Sequence, residues 1–173
     1  MNSHQIYSCL KQDTITQRSF RGVFPLDMLF KHAKIVPDRN NSYVCNTAVK
    51  INSGEHWIAM YIDSESNGEY FDSYGLYPNE IFASFLDQHC FSWTRNVIPL
   101  QRLFSTVCGQ HCVFWIHSRG LGYNSECIIE SLKSKNADKI VLDFVNKHYS
   151  GITKGVLVDH QFVFQQIATQ MNM

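Results

Sequence analysis

The sequence predicts an α+β fold in which one mixed β-sheet packs around a buried central helix, with further helices beside it. Residues Gly109–His117 are apolar on almost every side, which is typical of a buried helix rather than a surface helix. Short segments rich in aromatic and β-branched residues alternate with amphipathic patterns, and these segments predict the strands. We expect residues 1–173 to form a single domain, since 173 residues can bury a substantial core.

The first part of the chain predicts two helices and one strand. Residues 3–12 are predicted to form a short helix, and Pro25 is expected to open a second helix that runs to about Ala33. The stretch Phe20–Pro25, which contains glycine and proline, is predicted to be a loop. Tyr43–Thr47 has the composition of a strand.

A β-hairpin is predicted next. Its strands are His56–Asp63 and Glu69–Ser73, and a Ser-Asn-Gly turn at Ser66–Gly68 is expected to join them. In an antiparallel pair, the start of one strand lies beside the end of the other. The sequence therefore predicts that His56 and Asp72 are neighbours.

The second half of the chain predicts one strand and several helices. Asn79–Cys90 has an amphipathic pattern, and a strand is expected within Phe91–Pro99. The buried helix then begins next to Cys108. Further helices are predicted over Glu126–Leu132, Ala137–His148 and His160–Ala168.

Composition argues against several functions. Fifteen basic and fifteen acidic residues give zero formal charge, so no global positive field indicates nucleic-acid binding. No apolar run approaches the roughly 18 residues that a membrane span needs, and the polar N-terminus lacks the apolar stretch of a secretory signal. We therefore expect the six cysteines to be reduced thiols in a protein of the cytoplasm or nucleus that is not secreted.

Four residues supply the chemistry of a thiol protease: His56, Asp72, Gln101 and Cys108. A thiol attacks as the thiolate, which a helix N-terminus and a nearby imidazolium both stabilise. Asp72 is expected to fix the tautomer of His56. The amide of Gln101 and the backbone amides beside Gly109 are expected to stabilise the oxyanion of the transition state.

Each residue also has a plainer interpretation. A buried cysteine is usually inert packing, and an aspartate before a glycine is often a turn residue. Trp57 is expected either to pack or to line the substrate groove. A zinc cluster of Cys108, His111, Cys112 and His117 is an alternative, although structural zinc sites usually use Cys-x2-Cys pairs.

Taken together, the motifs resemble those of the adenain-like cysteine proteases, the family of the adenovirus maturation protease. This family belongs to the same clan as the Ulp/SENP SUMO-specific proteases. The motifs look most similar to those of Polinton/Maverick elements and related viruses, with an aspartate where the adenovirus enzymes carry glutamate. The similarity spans roughly residues 20–120 and rests on Phe20 to Phe24, Asn46-Thr47, His56-Trp57, Phe71 to Gly75, and Gln101 with Cys108-Gly109.

The resemblance implies a papain-like, adenain-type fold and a cysteine endopeptidase that cuts capsid and core precursors after small residues, often glycine. It implies a nucleophile at Cys108, a base at His56, an orienting acid at Asp72 and an oxyanion donor at Gln101. It also implies a location in the host nucleus or cytoplasm, and in the virion if the protein is viral.

The resemblance also raises the question of activators. Adenovirus enzymes are stimulated by a disulfide-linked peptide and by DNA. Cys90 lies 18 residues before Cys108, which is similar to the position of the peptide-linked cysteine, but an ordinary thiol is the favoured interpretation. Zero net charge predicts at most weak DNA binding. No cofactor is needed for the chemistry itself, and a monomer is expected. The candidate basic patch comprises Lys31, Lys34, Arg39 and Lys50.

Three other functions use the same residues or fold. An isopeptidase that removes SUMO, ubiquitin or a related modifier would share the chemistry and differ in its substrate groove. An acyltransferase would need a cofactor-binding region, for which the sequence shows no motif. A binding protein without activity would have no chemical reason to keep all four residues.

Overall fold

The computed structural model describes residues 1–48, 56–133 and 136–150. Within them it confirms the predicted α+β architecture, a five-stranded mixed sheet with helices on both faces. The strands are β1 (Phe20–Pro25), β2 (Asn41–Asn46), β3 (Trp57–Ile62), β4 (Asn67–Phe71) and β5 (Ser92–Arg95). The α-helices are α1 (Ser3–Gln12), α2 (Leu29–His32), α3 (Glu80–His89), α4 (Cys108–Gly120), α5 (Ser125–Lys133) and α6 (Ala137–Tyr149), and a 3-10 turn spans Leu26–Met28.

The sheet follows chain order, β1-β2-β3-β4-β5. The two outer pairs, β1 with β2 and β4 with β5, are parallel. The two inner pairs are antiparallel, with Asn46 opposite Trp57 and Ala59 opposite Phe71. The predicted hairpin is therefore present as β3 and β4, at the centre of the sheet.

Two apolar layers cover the two faces of the sheet. Successive side chains of a strand point to opposite faces, and β3 is buried along its full length because both of its faces are covered. Trp57 and Ala59 face the larger layer, which includes α4, whereas Ile58 and Met60 face the layer beneath α3. The sheet thus separates the two apolar layers, and α4 packs on one of its faces.

Helix α4 is the central helix that the sequence predicts. Nine of its residues are buried, and Trp115 stacks on Phe71 of β4 with ring centroids 5.2 Å apart and an interplanar angle of 12°. Phe114 packs edge-on against Phe144 of α6. Full burial of such side chains stabilises the fold by about 1.5–3 kcal/mol each, so the position of the helix is strongly determined.

A buried polar cluster joins α4 to the first and last described helices. Asp13, which ends α1, accepts hydrogen bonds from His117 Nδ1 at 2.5 Å and from Tyr149 Oη at 2.7 Å. The side chains of Asp13 and His117 are fully buried. Burial raises the pKa of Asp13, but the bonds from His117, the Ile15 amide and Tyr149 outweigh it and lower the pKa.

Three local predictions are wrong. Phe20–Pro25 is strand β1 and not a loop, because the parallel partner β2 supplies its hydrogen bonds. The hairpin turn lies before Asn67, where the Asp63 carboxylate accepts backbone N–H groups, and not at Ser66–Gly68. Pro25 ends β1 rather than opening a regular helix, and a 3-10 turn separates it from α2.

Two further expectations concern the last predicted helix and the absence of a membrane span. The helix predicted over His160–Ala168 lies outside the described residues. Among the residues that the structure describes, no helix has both the length and the apolar character needed to cross a membrane.

Replacing Asp13 by alanine is expected to lower the free energy of unfolding by about 3–5 kcal/mol, because His117 and Tyr149 would lose a buried charged partner. Urea denaturation measures this loss, and Glu65→Ala, at an exposed turn carboxylate, is the matched control. The folded-state pKa of Asp13 is depressed, so its contribution is present above the unfolded pKa of about 3.9 and is lost as pH falls through the folded value. A variant as stable as the wild type would contradict this assignment.

Candidate active site

The β3–β4 pair brings His56 and Asp72 together. His56 directly precedes β3, and Asp72 directly follows β4. Because the strands are antiparallel and Ala59 lies opposite Phe71, these two positions meet at the same end of the sheet. His56 Nε2 lies 2.9 Å from Asp72 Oδ1. This contact needs Nε2 as the donor, so the lone pair of a neutral His56 ring is on Nδ1.

Asp72 is itself held by a residue that the sequence did not suggest. Asn96, which is buried, accepts a hydrogen bond from the Asp72 backbone N–H at 2.9 Å and donates to the Asp72 carbonyl at 2.6 Å. The Tyr74 backbone N–H donates to Asp72 Oδ1 at 2.7 Å. No motif identifies Asn96, because its role depends on the parallel pairing of β4 with β5.

His56 is surrounded by groups that favour its charged form. Tyr74 covers its ring, with centroids 4.9 Å apart. Burial lowers the pKa of His56, but hydrogen bonds to Asp72 and Cys108 and their charges outweigh burial and raise this pKa to about 9. A protonated imidazole at neutral pH is the partner that a thiolate requires.

Cys108 is the first residue of α4, and no side chain caps the helix in front of it. Burial raises the pKa of Cys108, yet hydrogen bonds from His56 and from the Trp57 and Gly109 amides, with the charge of His56, lower it overall. Burial raises the pKa of two other thiols, Cys9 to about 12 and Cys90 to about 11. The chain therefore favours the thiolate at Cys108 and disfavours it at those two cysteines.

Gln101 is buried and is not among the residues that line the cleft beside Cys108. Its Oε1 accepts from Ser73 Oγ at 2.6 Å, and its Nε2 donates to the Ser105 carbonyl at 2.7 Å. An amide nitrogen carries two hydrogens, and the Ser105 bond uses one of them. The structure thus brings Gln101 to the loop before Cys108.

The cleft beside Cys108 has a volume of about 310 Å³. Trp57 borders it while its ring is almost completely buried, and the indole N–H donates to the Met1 carbonyl at 3.1 Å. Trp57 is thus packed and also borders this cleft, and a contact with substrate stays a prediction. The lining residues are Met1, His56, Trp57, Tyr74, Ser105, Thr106 and Cys108.

A side chain at Gly109 would be tight against its neighbours. A Cβ at this position would lie 3.1 Å from Met1 Cβ and 3.2 Å from Ile6 Cδ1. Glycine therefore allows α1 and the N-terminal residue to pack directly against the start of α4.

Cys90 does not line the cleft. It is half-buried at the end of α3, where a Cβ on Gly68 would lie 2.6 Å from its sulfur. The four residues of the zinc alternative are not grouped either, since His111 binds Asp138 and His117 binds Asp13. In the described ranges, no three His, Cys, Asp or Glu side chains are placed to hold a metal ion. Of the basic patch, Lys31, Lys34 and Arg39 are exposed, and Lys50 lies outside those ranges.

Comparison with solved structures shows which proteins share this fold. The ASFV pS273R protease matches with a TM-score of 0.56 and 17% identity over 96% of this chain, which spans 65% of that protease. The SUMO protease Ulp1 matches with a TM-score of 0.50 and 14% identity, over 96% of this chain and 78% of the other. The central domain of the uncharacterized Lpg1148 protein from Legionella pneumophila matches with a TM-score of 0.51 and 13% identity, over 88% and 98% of the two chains.

No family model matches the sequence, and neither does any curated protein sequence. The structural neighbours establish the fold class, which is the one shared by the ASFV pS273R protease and Ulp1. This is the fold that the resemblance of the sequence motifs implies. The chain spans just under two thirds of the length of the ASFV pS273R protease.

Alkylation by iodoacetamide is expected to modify Cys108 first, at a pH where an ordinary thiol of pKa about 8.5 is mostly protonated. Replacing Asp72 by asparagine removes the main group that raises the pKa of His56. The alkylation profile of Cys108 should then move to higher pH, because the imidazolium is lost earlier as pH rises. Peptide mapping after alkylation at several pH values measures both effects. An unchanged profile in Asp72→Asn would show that the carboxylate does not act through His56.

Proposed function

We propose that the protein is a cysteine endopeptidase that cleaves structural precursors of a virus or Polinton-type element after small residues. The observation that carries this proposal is the position of His56 between Asp72 and Cys108, with Cys108 at an uncapped helix start. The fold shared with two proteases supports it. Its substrates are proteins, and its site of action is the host nucleus or cytoplasm, or the virion.

The mechanism begins from a thiolate–imidazolium pair. The Cys108 thiolate attacks the carbonyl carbon of the scissile bond, and the carbonyl oxygen becomes an oxyanion. The second Nε2 hydrogen of Gln101 and the backbone amide of Cys108 stabilise that oxyanion. His56 gives its proton to the leaving amine, and the C–N bond breaks to leave a thioester. His56 then takes a proton from water, which hydrolyses the thioester.

The lining of the cleft favours substrates that have a small residue before the scissile bond. The aromatic rings of Trp57 and Tyr74 border the cleft together with Cys108. We expect these rings to disfavour large side chains next to the attacked carbonyl, because both are tied to backbone carbonyls, of Met1 and of Ser105. Glycine has no side chain to meet them.

A second candidate is an isopeptidase that releases SUMO or ubiquitin-like modifiers. The fold match to the SUMO protease Ulp1 favours it. The chemistry at Cys108 would be the same, and the two candidates differ in the macromolecule that the outer surface binds.

The test is a cleavage assay with fluorogenic Leu-x-Gly-Gly peptides and with SUMO- and ubiquitin-linked reporters. Peptide cleavage that leaves the modifiers intact would support the endopeptidase, and modifier release would support the isopeptidase. Cys108→Ala is expected to abolish turnover with little change in unfolding free energy, whereas Cys127→Ala, on α5, should keep it. Turnover near the wild-type rate in Cys108→Ala would refute both candidates.

Gln101→Ala is expected to lower kcat by roughly 10²-fold or more, because an oxyanion donor acts mainly in the transition state. KM should change much less, since Gln101 is not among the residues that line the cleft. Steady-state kinetics on the same peptide measures the separate effects on kcat and KM. A variant that raises KM alone would show that Gln101 binds substrate and does not stabilise the oxyanion.

A further inference from the structure

The loop between Gln101 and Cys108 has no helix or strand to hold it. Leu103 and Phe104 at its tip are 80% and 99% exposed, so packing of these side chains does not fix it. Phe104 also adopts a positive φ of 66°, a conformation that is unfavourable for a bulky residue. Such a backbone persists only where the surrounding structure determines it.

Asp138, near the start of α6, holds this loop at two points. Its Oδ2 accepts from the Arg102 backbone N–H at 3.3 Å, and an interaction with the Ser105 side chain helps to lower the pKa of the carboxyl group. The Ser105 N–H returns to the Arg102 carbonyl at 3.1 Å and closes a turn over Leu103 and Phe104. The carboxylate therefore clamps both ends of the turn that contains the strained residue.

The same carboxylate is tied to the nucleophile's helix. Asp138 Oδ1 accepts from His111 Nε2 at 2.9 Å, and His111 lies three residues after Cys108 in α4. Burial lowers the pKa of the fully buried His111, although Asp138 opposes this, so the neutral ring donates its Nε2 hydrogen. The Asp138 carboxylate thus connects the loop to α4.

Ser105 connects Asp138 to Gln101. Its carbonyl accepts from Gln101 Nε2 at 2.7 Å and from Tyr74 Oη at 3.3 Å. The position of that carbonyl decides where the second Nε2 hydrogen of Gln101 points. A displaced Ser105 would leave the thiolate of Cys108 intact and misdirect the amide.

We propose that Asp138 is a positioning residue that sets the oxyanion-stabilising amide of Gln101 relative to Cys108, acting through Ser105 and His111. This inference rests on the proposed function of the same site. It assigns no contact with substrate to Asp138. Sequence motifs do not mark this residue, because it lies 30 positions beyond Cys108.

The test compares two reactions of the same thiol in full-length protein. Alkylation of Cys108 by iodoacetamide forms no oxyanion, whereas acylation by p-nitrophenyl acetate does. Asp138→Asn keeps the shape but removes an acceptor, and it is expected to slow acylation roughly tenfold, less than loss of a whole donor. Its alkylation rate should stay within about twofold of wild type, since the helix start and His56 are unchanged.

A double-mutant cycle identifies the route of the effect. If Asp138 acts through Gln101, then Asp138→Asn with Gln101→Ala should acylate no more slowly than Gln101→Ala alone. Additive losses would show that Asp138 does not act through Gln101. Ser105→Ala, which removes only the hydroxyl, should slow acylation less than Asp138→Asn does and should likewise leave the alkylation rate unchanged. Two independent variants then test the inference, so a folding defect of one of them does not decide the outcome.

The matched control is Asp143→Asn, an exposed carboxylate of the same helix that pairs with Lys139. It should change neither rate. Hydrogen exchange of residues 101–107 should be faster in Asp138→Asn and unchanged in the control. Equal loop exchange and equal acylation in Asp138→Asn and wild type would overturn the inference. Failure of the proposed function would look different, as ester cleavage that persists in Cys108→Ala.

Discussion

The antiparallel pairing of β3 and β4 is the constraint on which the candidate site depends. His56 and Asp72 lie 16 positions apart in the chain, and this pairing brings them to the same end of the sheet, where Nε2 and Oδ1 are 2.9 Å apart. The pair lies at the centre of the sheet, with β2 and β5 on either side. A shift of register by one residue would send every side chain of β3 to the opposite face, so burial on both faces keeps the site in place.

The second constraint is the direction in which α4 crosses the sheet. Its apolar surface is buried by β3, β4 and α6, and the polar cluster of Asp13, His117 and Tyr149 fixes its far end. The start of the helix therefore reaches the end of the sheet where His56 lies. Burial raises the pKa of the Cys9 and Cys90 thiols. At Cys108 burial acts in the same direction, but the His56 imidazole and the backbone amides of Trp57 and Gly109 outweigh it and lower the pKa.

Much of the fold and of the site follows from residue pattern. The apolar run after Cys108, the two central strands and most helix positions were predictable, because hydrophobic periodicity reports which faces are buried. The expected meeting of His56 and Asp72 needed only a hairpin. The loop assigned to Phe20–Pro25 was wrong since a parallel strand depends on a partner distant in sequence, and local composition does not report that partner.

The sequence by itself determined the α+β class, the central helix and the residue types available for thiol chemistry. Only the tertiary structure decided that Asn96 holds the Asp72 backbone, that Gln101 donates to the Ser105 carbonyl, and that Asp138 contacts the loop before Cys108. The physical reason is that these contacts are hydrogen bonds between groups more than 20 positions apart or in irregular loops. Periodicity reports burial, but it carries no information about which polar groups meet.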